Sequence, residues 1–385
     1  MAPGGMKKIF ISDIHLGDER SFTSPNPYGW TISNISNLAN FLEDQIKASD
    51  VAEMVILGDL FDTWVIPTNM DPLTSFAEIC SYNNNLPVID ALKGLAKKNN
   101  FNLSYVPGNH DMAFSTGGLD LTKQFIENNF PGIHYICDPN LPYGLYRSGK
   151  LLAEHGNRYC LFNAPDPWTD APSFLPIGYF IARLVAYKIH TTGNPENYLD
   201  ILKRFIVRLI KRPNFVKDLF EAIAEDAGLE FDADIDMKAL TNFTDPTKVG
   251  AISSLYGQLI ENWEKNDRNK IGWETATIAD AGDLSLAAYR VYFSIFGSGD
   301  QNIVIFGHTH MADLEPYPQG EPLGQDVGIP LDLPCLAIYA NCGAWVDSVQ
   351  STYVETEEDR NAGRHYVRLY TYPDKTLKGE AFVEL

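Results

Sequence analysis

Cationic side chains are in short supply in this 385-residue chain: 30 Lys and Arg stand against 50 Asp and Glu, for a formal charge of −20. Broad, unspecific binding to duplex nucleic acid runs on Lys and Arg against phosphates, so that class is excluded. A phosphate-bearing substrate would need a local positive centre. Cysteine is scarce too. Cys80, Cys137, Cys160, Cys335 and Cys342 are odd in number and widely spaced, which fits neither a disulfide ladder nor a zinc ribbon, and reduced thiols are expected. Long apolar runs are missing: the start MAPGGMKKIFISDIHLG holds no stretch long enough for a signal peptide, and Phe174–Ile189 is broken by Arg183 and Lys188 and falls short of a spanning helix. A cytoplasmic location is the expectation. Internal repeats and low-complexity tracts are also absent from the sequence.

What the chain does have is an ordinary globular composition, 45% hydrophobic and 21% charged, and a recurring pattern of short apolar runs that end in polar side chains. Lys8–Ile11 leads into Ser12-Asp13-Ile14-His15, Glu53–Leu57 into Gly58-Asp59-Leu60-Phe61-Asp62, and Leu103–Val106 into Pro107-Gly108-Asn109-His110-Asp111. Further on, Lys150–Ala153 leads into Glu154-His155-Gly156-Asn157, and Asn302–Phe306 into Gly307-His308-Thr309-His310. Helical patterns over Asn34–Lys47 and Pro87–Lys97 separate the first three runs, which is α/β alternation. Strands over Cys335–Ala340, Arg364–Tyr372 and Leu377–Val383 complete a central pair of sheets flanked by helices. The acidic Glu355–Asp359 reads as a solvated loop.

Residues 161–299 differ, with apolar residues recurring every three or four positions, and read as a helical insertion in a core made of 1–160 and 300–385. Within it Leu199, Leu202, Phe205, Ile206 and Leu209 fall on one helical face, while Lys203, Arg204, Arg208, Lys211 and Arg212 supply charge before Pro213. That helix reads as core-facing with a solvated basic side; the alternative is peripheral contact with a membrane surface or a lipid head group. Phe174–Ile181 is apolar all round, which suits core packing or the wall of an apolar pocket over the site.

Ligands of α/β sheets bind outside the carboxyl ends of strands, so five such ends can bring distant side chains into one pocket. Asp13, His15, Asp59, Asn109, His155, His308 and His310 would line it. Two carboxylates, four imidazoles and an amide oxygen suit two divalent ions such as manganese, iron, zinc or magnesium, with Asp59 able to bridge. The ions would keep both carboxylates charged in a dry crevice and supply the positive centre that the acidic chain lacks. Singly each motif is a turn or cap feature; together they gather five of eight histidines, His15, His110, His155, His308 and His310, at strand ends.

In this order Asp13-x-His15, Gly58-Asp59-x-x-Asp62, Gly108-Asn109-His110-Asp111, His155-Gly156 and Gly307-His308-x-His310 resemble the calcineurin-like metallophosphoesterases. The resemblance implies a four-layer αββα sandwich of two mixed sheets and a dinuclear metal centre; the insertion, tethered between the His155 turn and the strand leading to His308 and His310, is expected from its position to cap the site. Asp13, His15, Asp59 and His310 would hold one ion, and Asp59, Asn109, His155 and His308 the other. His110 would contact the phosphoryl oxygens or protonate the leaving group, with Asp111 orienting its ring. Thr63-Trp64 and Asp111 depart from the serine/threonine protein phosphatases. Gly58–Trp64 and His155–Cys160 are similar to the UDP-2,3-diacylglucosamine hydrolases, although His110 and Asn157 depart from that group, which is also much shorter. Arg158 and Trp168 are the candidate substrate contacts, and the expected substrate is a phosphate-containing small molecule or lipid-like conjugate. A nuclease or cyclic-nucleotide phosphodiesterase and a non-catalytic scaffold are the other classes.

Overall fold

The computed structural model describes residues 6–22, 35–73, 75–112, 119–138, 143–167, 175–194, 198–237, 246–265, 271–293, 301–318, 334–346 and 350–385. The strands are, in chain order, β1 (Lys7–Ile11), β2 (Val51–Leu57), β3 (Asn102–Val106), β4 (Ile133–Tyr135), β5 (Tyr146–Ser148), β6 (Leu151–Ala153), β7 (Asp234–Ile235) and β8 (Thr247–Lys248). After these come β9 (Ile303–Phe306), β10 (Asp313–Pro318), β11 (Cys335–Asn341), β12 (Ser351–Asp359), β13 (Arg364–Tyr372) and β14 (Leu377–Glu384). One half of the sheet runs β4-β3-β2-β1-β12-β13-β14, the other β11-β9-β6-β5, with β10 on β11. The two halves are joined in the ladder through one pair, Cys335 opposite Val383. The two expected mixed sheets are therefore joined at one edge into one curled sheet.

Alternation along the strands explains the layers, because successive side chains point to opposite faces. Phe10, Val55, Leu57 and Val106 from one half meet Leu151, Ala153, Ile303, Ile305, Ile338 and Ala340 from the other in a single apolar layer. Their neighbours Ile9, Ile11, Met54, Ile56, Leu103, Leu152, Val304 and Phe306 belong to a second cluster. That cluster also holds Leu38, Phe41 and Leu42 of the helix Ile35–Lys47 and Val88, Leu92 and Leu95 of the helix Leu86–Ala96. Burial on both faces is why these strands read as unbroken apolar runs.

The acidic Glu355–Asp359 is not a solvated loop but part of β12, and Glu355 is buried. Arg368 across the ladder stands 3.3 Å from Glu355 and 2.8 Å from Glu357, and Lys7 lies 3.4 Å from Glu355. Cross-strand cations thus offset a run of like charge that would otherwise resist pairing.

The insertion supplies helices Ile177–Thr192, Tyr198–Leu209, Phe215–Asp226, Val249–Leu255, Leu259–Glu264, Trp273–Asp280 and Ser285–Tyr292. Its Phe180, Leu184, Phe205 and Phe220 belong to the same cluster as the core helices. Leu175–Ile181 is buried and packs as core; Phe174 lies outside the described residues. Ile201, Leu202, Phe205, Ile206 and Leu209 are buried, while Arg204 pairs with Asp226 at 3.2 Å and Arg212 with Asp218 at 3.3 Å. Among the described residues no helix is long and apolar enough to cross a membrane.

One buried cation locks insertion to core. Arg183, 0% exposed, donates from Nε to Ile66 O (3.1 Å), from one terminal nitrogen to Pro67 O (3.1 Å) and Met70 O (2.7 Å), and from the other to Asp236 O (2.5 Å). Each buried carbonyl left without a donor costs about 1–3 kcal/mol. Arg183→Met should therefore lower the unfolding free energy by roughly 3 kcal/mol or more. Urea denaturation reads this directly, and a change below about 1 kcal/mol would show that water replaces the guanidinium without cost.

Candidate metal centre

Within each half the site-bearing strands pair in parallel, so β1, β2 and β3 share one carboxyl edge and β6 and β9 share another. The turns leaving them are held close by backbone bonds: His15 N to Asp59 O at 2.8 Å, Gly307 N to His155 O at 3.0 Å. Glycine permits this nesting. A Cβ on Gly58, whose φ is +80°, would sit 2.5 Å from His155 Nδ1, and one on Gly108 would collide with the Asp59 carboxylate and backbone N. Close approach to Asp59, more than a tight turn of its own, is what position 108 requires.

The backbone is strained at these turns. Among the described residues, non-glycine residues with positive φ include Asp13 (54°), His15 (52°), Asp59 (51°), His308 (70°) and His310 (59°). Such conformations cost free energy and cluster where side chains must be aimed at a common point. The five residues are all expected ligands.

Their atoms do converge. His310 Nε2 lies 3.1 Å from His15 Nε2 and 3.4 Å from Asp13 Oδ1, and His15 Nε2 is 3.7 Å from Asp59 Oδ2. On the other side His155 Nε2 is 3.1 Å from Asp59 Oδ2 and 3.1 Å from Asn109 Oδ1. The rings of His155 and His308 are 5.0 Å apart. Donor atoms of Asp13, His15 and His310 lie within 4.8 Å of one another, as do those of Asp59, His155 and His308. Asp59 thus lies between two groups of donors.

The hydrogen bonds behind the rings fix what faces inward. His15 Nδ1 is 2.9 Å from Asp62 Oδ2, and His155 Nδ1 is 2.7 Å from Leu57 O. Each acceptor receives the Nδ1–H, so Nε2 is the nitrogen that faces the pocket. Asp13 Oδ1 is buried, with the Nε2 atoms of His310 and His15 facing it at 3.4 and 3.9 Å. Lone pairs and carboxylate oxygens facing one another at this range repel unless protons or cations stand among them, so the residues fit divalent ions.

Protons alone balance the cluster as follows. Burial would raise the Asp59 carboxyl, but the His155 and His110 imidazoles hold it well below the usual range. Burial would lower His155, yet the Asp59 charge holds its proton up to about 9. Burial, with His155 nearby, pushes His308 down to about 3, and burial, with the Asp59 charge, pushes Asp111 up to about 6.

His110, 6% exposed, stacks on Trp64 with centroids 4.3 Å apart and planes at 25°. Its Nδ1 lies 3.1 Å from Asp62 Oδ1. Here the expectation for Asp111 needs correction: Asp111 accepts from Phe61 N (2.8 Å) and Gly108 N (3.0 Å), so it braces the two turns while Asp62 faces the His110 ring. Asp62 was legible as part of Gly58-Asp59-x-x-Asp62 but its span of both His15 and His110 was not, and Trp64 gave no signal beyond its neighbourhood.

Arg158 is also corrected. The turn after β6 places it four residues past Glu154, whose carboxylate it meets at 2.7 Å, and its guanidinium lies over the Tyr143 and Tyr159 rings at 4.7 and 4.8 Å. Glu154 Oε1 further accepts from Tyr159 (2.9 Å) and from Tyr292 of the insertion (2.6 Å). The arginine is thus engaged with Glu154 and the tyrosines around it. Trp168 lies outside the described residues.

Comparison with known proteins agrees with this geometry. The family of calcineurin-like phosphoesterases matches residues 6–212, more than half of the chain. The chain belongs to that family and is a metal-dependent phosphoesterase. It is similar to the UDP-2,3-diacylglucosamine hydrolase of Psychromonas ingrahamii, at 25% identity over 223 residues that span 54% of this chain and 76% of that protein. The match to the family stops before His308 and His310, which the structure brings to the same pocket as Asp13 and Asp59.

Proposed function

We propose that the protein hydrolyses a phosphoester or pyrophosphate bond in a nucleotide conjugate or lipid-like substrate, using two divalent ions, manganese foremost. The observation that carries the reading is Asp59 between two converging donor groups, with ring nitrogens of His15 and His155 at 3.7 and 3.1 Å from the same carboxylate oxygen. Asp13, His15, Asp59 and His310 would hold one ion, and Asp59, Asn109, His155 and His308 the other. Bound there, two ions supply Lewis acidity for the phosphoryl oxygens and an activated water at neutral pH. The chain's own residues do the rest. Asp62 accepts from His15 Nδ1 and faces His110 Nδ1, Trp64 holds the His110 ring flat against its face, and His110 Nε2 is the atom that meets the phosphoryl group or gives a proton to the leaving oxygen.

The insertion sets substrate choice in this reading. Its Tyr179 packs edge-on against Trp64 at 5.9 Å, and Trp64 carries His110. The Psychromonas relative is a hydrolase of a nucleotide-linked acylated sugar, which favours a conjugate of that chemical kind over a nucleic acid, and the charge of −20 disfavours a polyanionic strand.

Hydrolysis of a chromogenic monoester, a chromogenic diester, a nucleoside-diphosphate conjugate and a phospholipid, each with manganese, tests this. The conjugate should exceed the small esters in kcat/KM by at least about tenfold, the worth of 1.4 kcal/mol of added transition-state binding. A preference for cyclic nucleotides or single-stranded DNA would move the protein to the nuclease and phosphodiesterase class. No turnover by metal-loaded protein would leave a binding scaffold.

A further inference from the structure

One buried amide reaches the residues on either side of His308. Asn341 ends β11 and is 1% exposed. Its Nδ2 donates to Gly307 O at 2.8 Å and to Thr309 Oγ1 at 3.1 Å, while its Oδ1 accepts from Gly343 N at 3.0 Å. Gly307 O can only accept and Gly343 N can only donate, so the amide has a single workable orientation. The residues that follow reach the turn after β1: Ser12 Oγ donates to Gly343 O at 3.0 Å, and Trp345 N donates to Asp13 O at 3.0 Å.

A purely mechanical role would make Asn341 a clasp between the ends of β9 and β11. That join is already made by the backbone, where the ladder pairs Asn341 with Phe306 and Cys342 N donates to Phe306 O at 2.9 Å. Asparagine is also a poor choice for a buried strand, since its amide costs free energy unless both ends find partners. What it bonds explains the choice. Gly307 and Thr309 flank His308, whose φ is +70°, and His310 just beyond has a φ of +59°. Non-glycine residues persist in that region only where the surroundings over-determine them. Thr309 N closes the turn from within by its 2.8 Å bond to Gly307 O, and Asn341 holds the same carbonyl from outside.

We propose that Asn341 is the positioning residue that keeps this turn in its strained form, so that His308 and His310 are aimed before any ion binds. The assignment rests on the dinuclear reading and extends it. The turn gives His310 to the donor group of Asp13 and His15, and His308 to the group of Asp59 and His155, so one amide outside the ligand set prepares both sites.

Manganese retained per full-length chain, with competition by a chelator and urea denaturation alongside, tests the assignment. Wild-type protein should hold two ions. Asn341→Leu keeps the bulk and removes the amide's bonds, while Asn341→Asp keeps the acceptor for Gly343 N and sets an oxygen against Gly307 O. Each should weaken both ions by roughly 10–100-fold, the usual effect of losing an outer partner. Thr352→Val removes the buried bond to Cys342 O at 2.6 Å, and should cost stability while both ions bind as in wild type. If neither Asn341 variant folds, Thr309→Ala decides: it takes away the 3.1 Å bond and should weaken both ions by about 2–10-fold, the worth of one ordinary hydrogen bond. Two ions at wild-type affinity in a folded Asn341 variant, weakening confined to one ion, or equal weakening in Thr352→Val would overturn the assignment alone. Wild-type protein that never takes a second ion would overturn the dinuclear reading, and with it the claim that one amide serves two sites.

Discussion

Asp59→Asn should lose metal and activity together. The substitution keeps size and removes the charge that lies 3.7 Å from His15 Nε2 and 3.1 Å from His155 Nε2. An amide offers one weak oxygen donor where a carboxylate offers two charged ones, so both ions would be affected at once. A fall in kcat/KM of roughly 10³-fold or more is expected, about 4 kcal/mol of transition-state stabilisation. A chelator should do the same to the wild-type protein, with recovery on adding manganese. Undiminished turnover in thoroughly metal-free protein would defeat metal dependence.

The same residue sets how metal uptake depends on pH. His155 holds its proton up to about 9 because Asp59 is beside it, so at neutral pH an ion must displace that proton. His308, pushed down to about 3, presents its lone pair without such a cost. Affinity should accordingly rise with pH towards 9, about tenfold per unit for each proton displaced. Calorimetry in buffers of different ionisation enthalpy would count the protons released, and binding that releases none would contradict the pairing of Asp59 with a protonated His155.

Much of the site was legible before any coordinates because its parts are local. An apolar run that ends in Asp-x-His, Gly-Asp or Gly-His-x-His announces both the strand and its catalytic edge, and parallel pairing of β1, β2 and β3 and of β6 with β9 then assembles the edges. Some strand limits were legible too: β13 spans Arg364–Tyr372 as expected, and β11 and β14 run one residue further than expected. What escaped depended on partners distant in sequence. Glu355–Glu357 looked like solvated charge because Arg368 and Lys7 are not adjacent to it in the chain. Arg158 looked available because its motif position ignores Glu154, Tyr143 and Tyr292. Whether Asp62 or Asp111 faces His110 is decided by two turns meeting, which no single segment encodes.

His110→Ala should separate chemistry from metal binding. The ring is held on both sides, by Asp62 Oδ1 at 3.1 Å from Nδ1 and by the face of Trp64 at 4.3 Å, and its own backbone N donates to Asp59 Oδ1 at 2.8 Å. That backbone bond survives removal of the side chain, so the loop and the Asp59 carboxylate stay in place. A ring nitrogen of His110 nevertheless comes within 4.8 Å of donor atoms of His15 and Asp59, close enough for a ligand on distance alone. Carboxylate proximity at Nδ1 and stacking on Trp64 favour a group that meets the substrate instead, with Nε2 as proton donor or phosphoryl contact. On that assignment His110→Ala keeps both ions while kcat falls by roughly 10²–10⁴-fold. The loss should shrink for a substrate whose leaving group departs without a proton, such as a nitrophenyl ester, because only the acid's share of the barrier is then removed. Parallel metal analysis decides the matter: one ion lost from a folded His110→Ala protein would make His110 a ligand, and an equal loss of rate on good and poor leaving groups would make it a phosphoryl contact and not an acid.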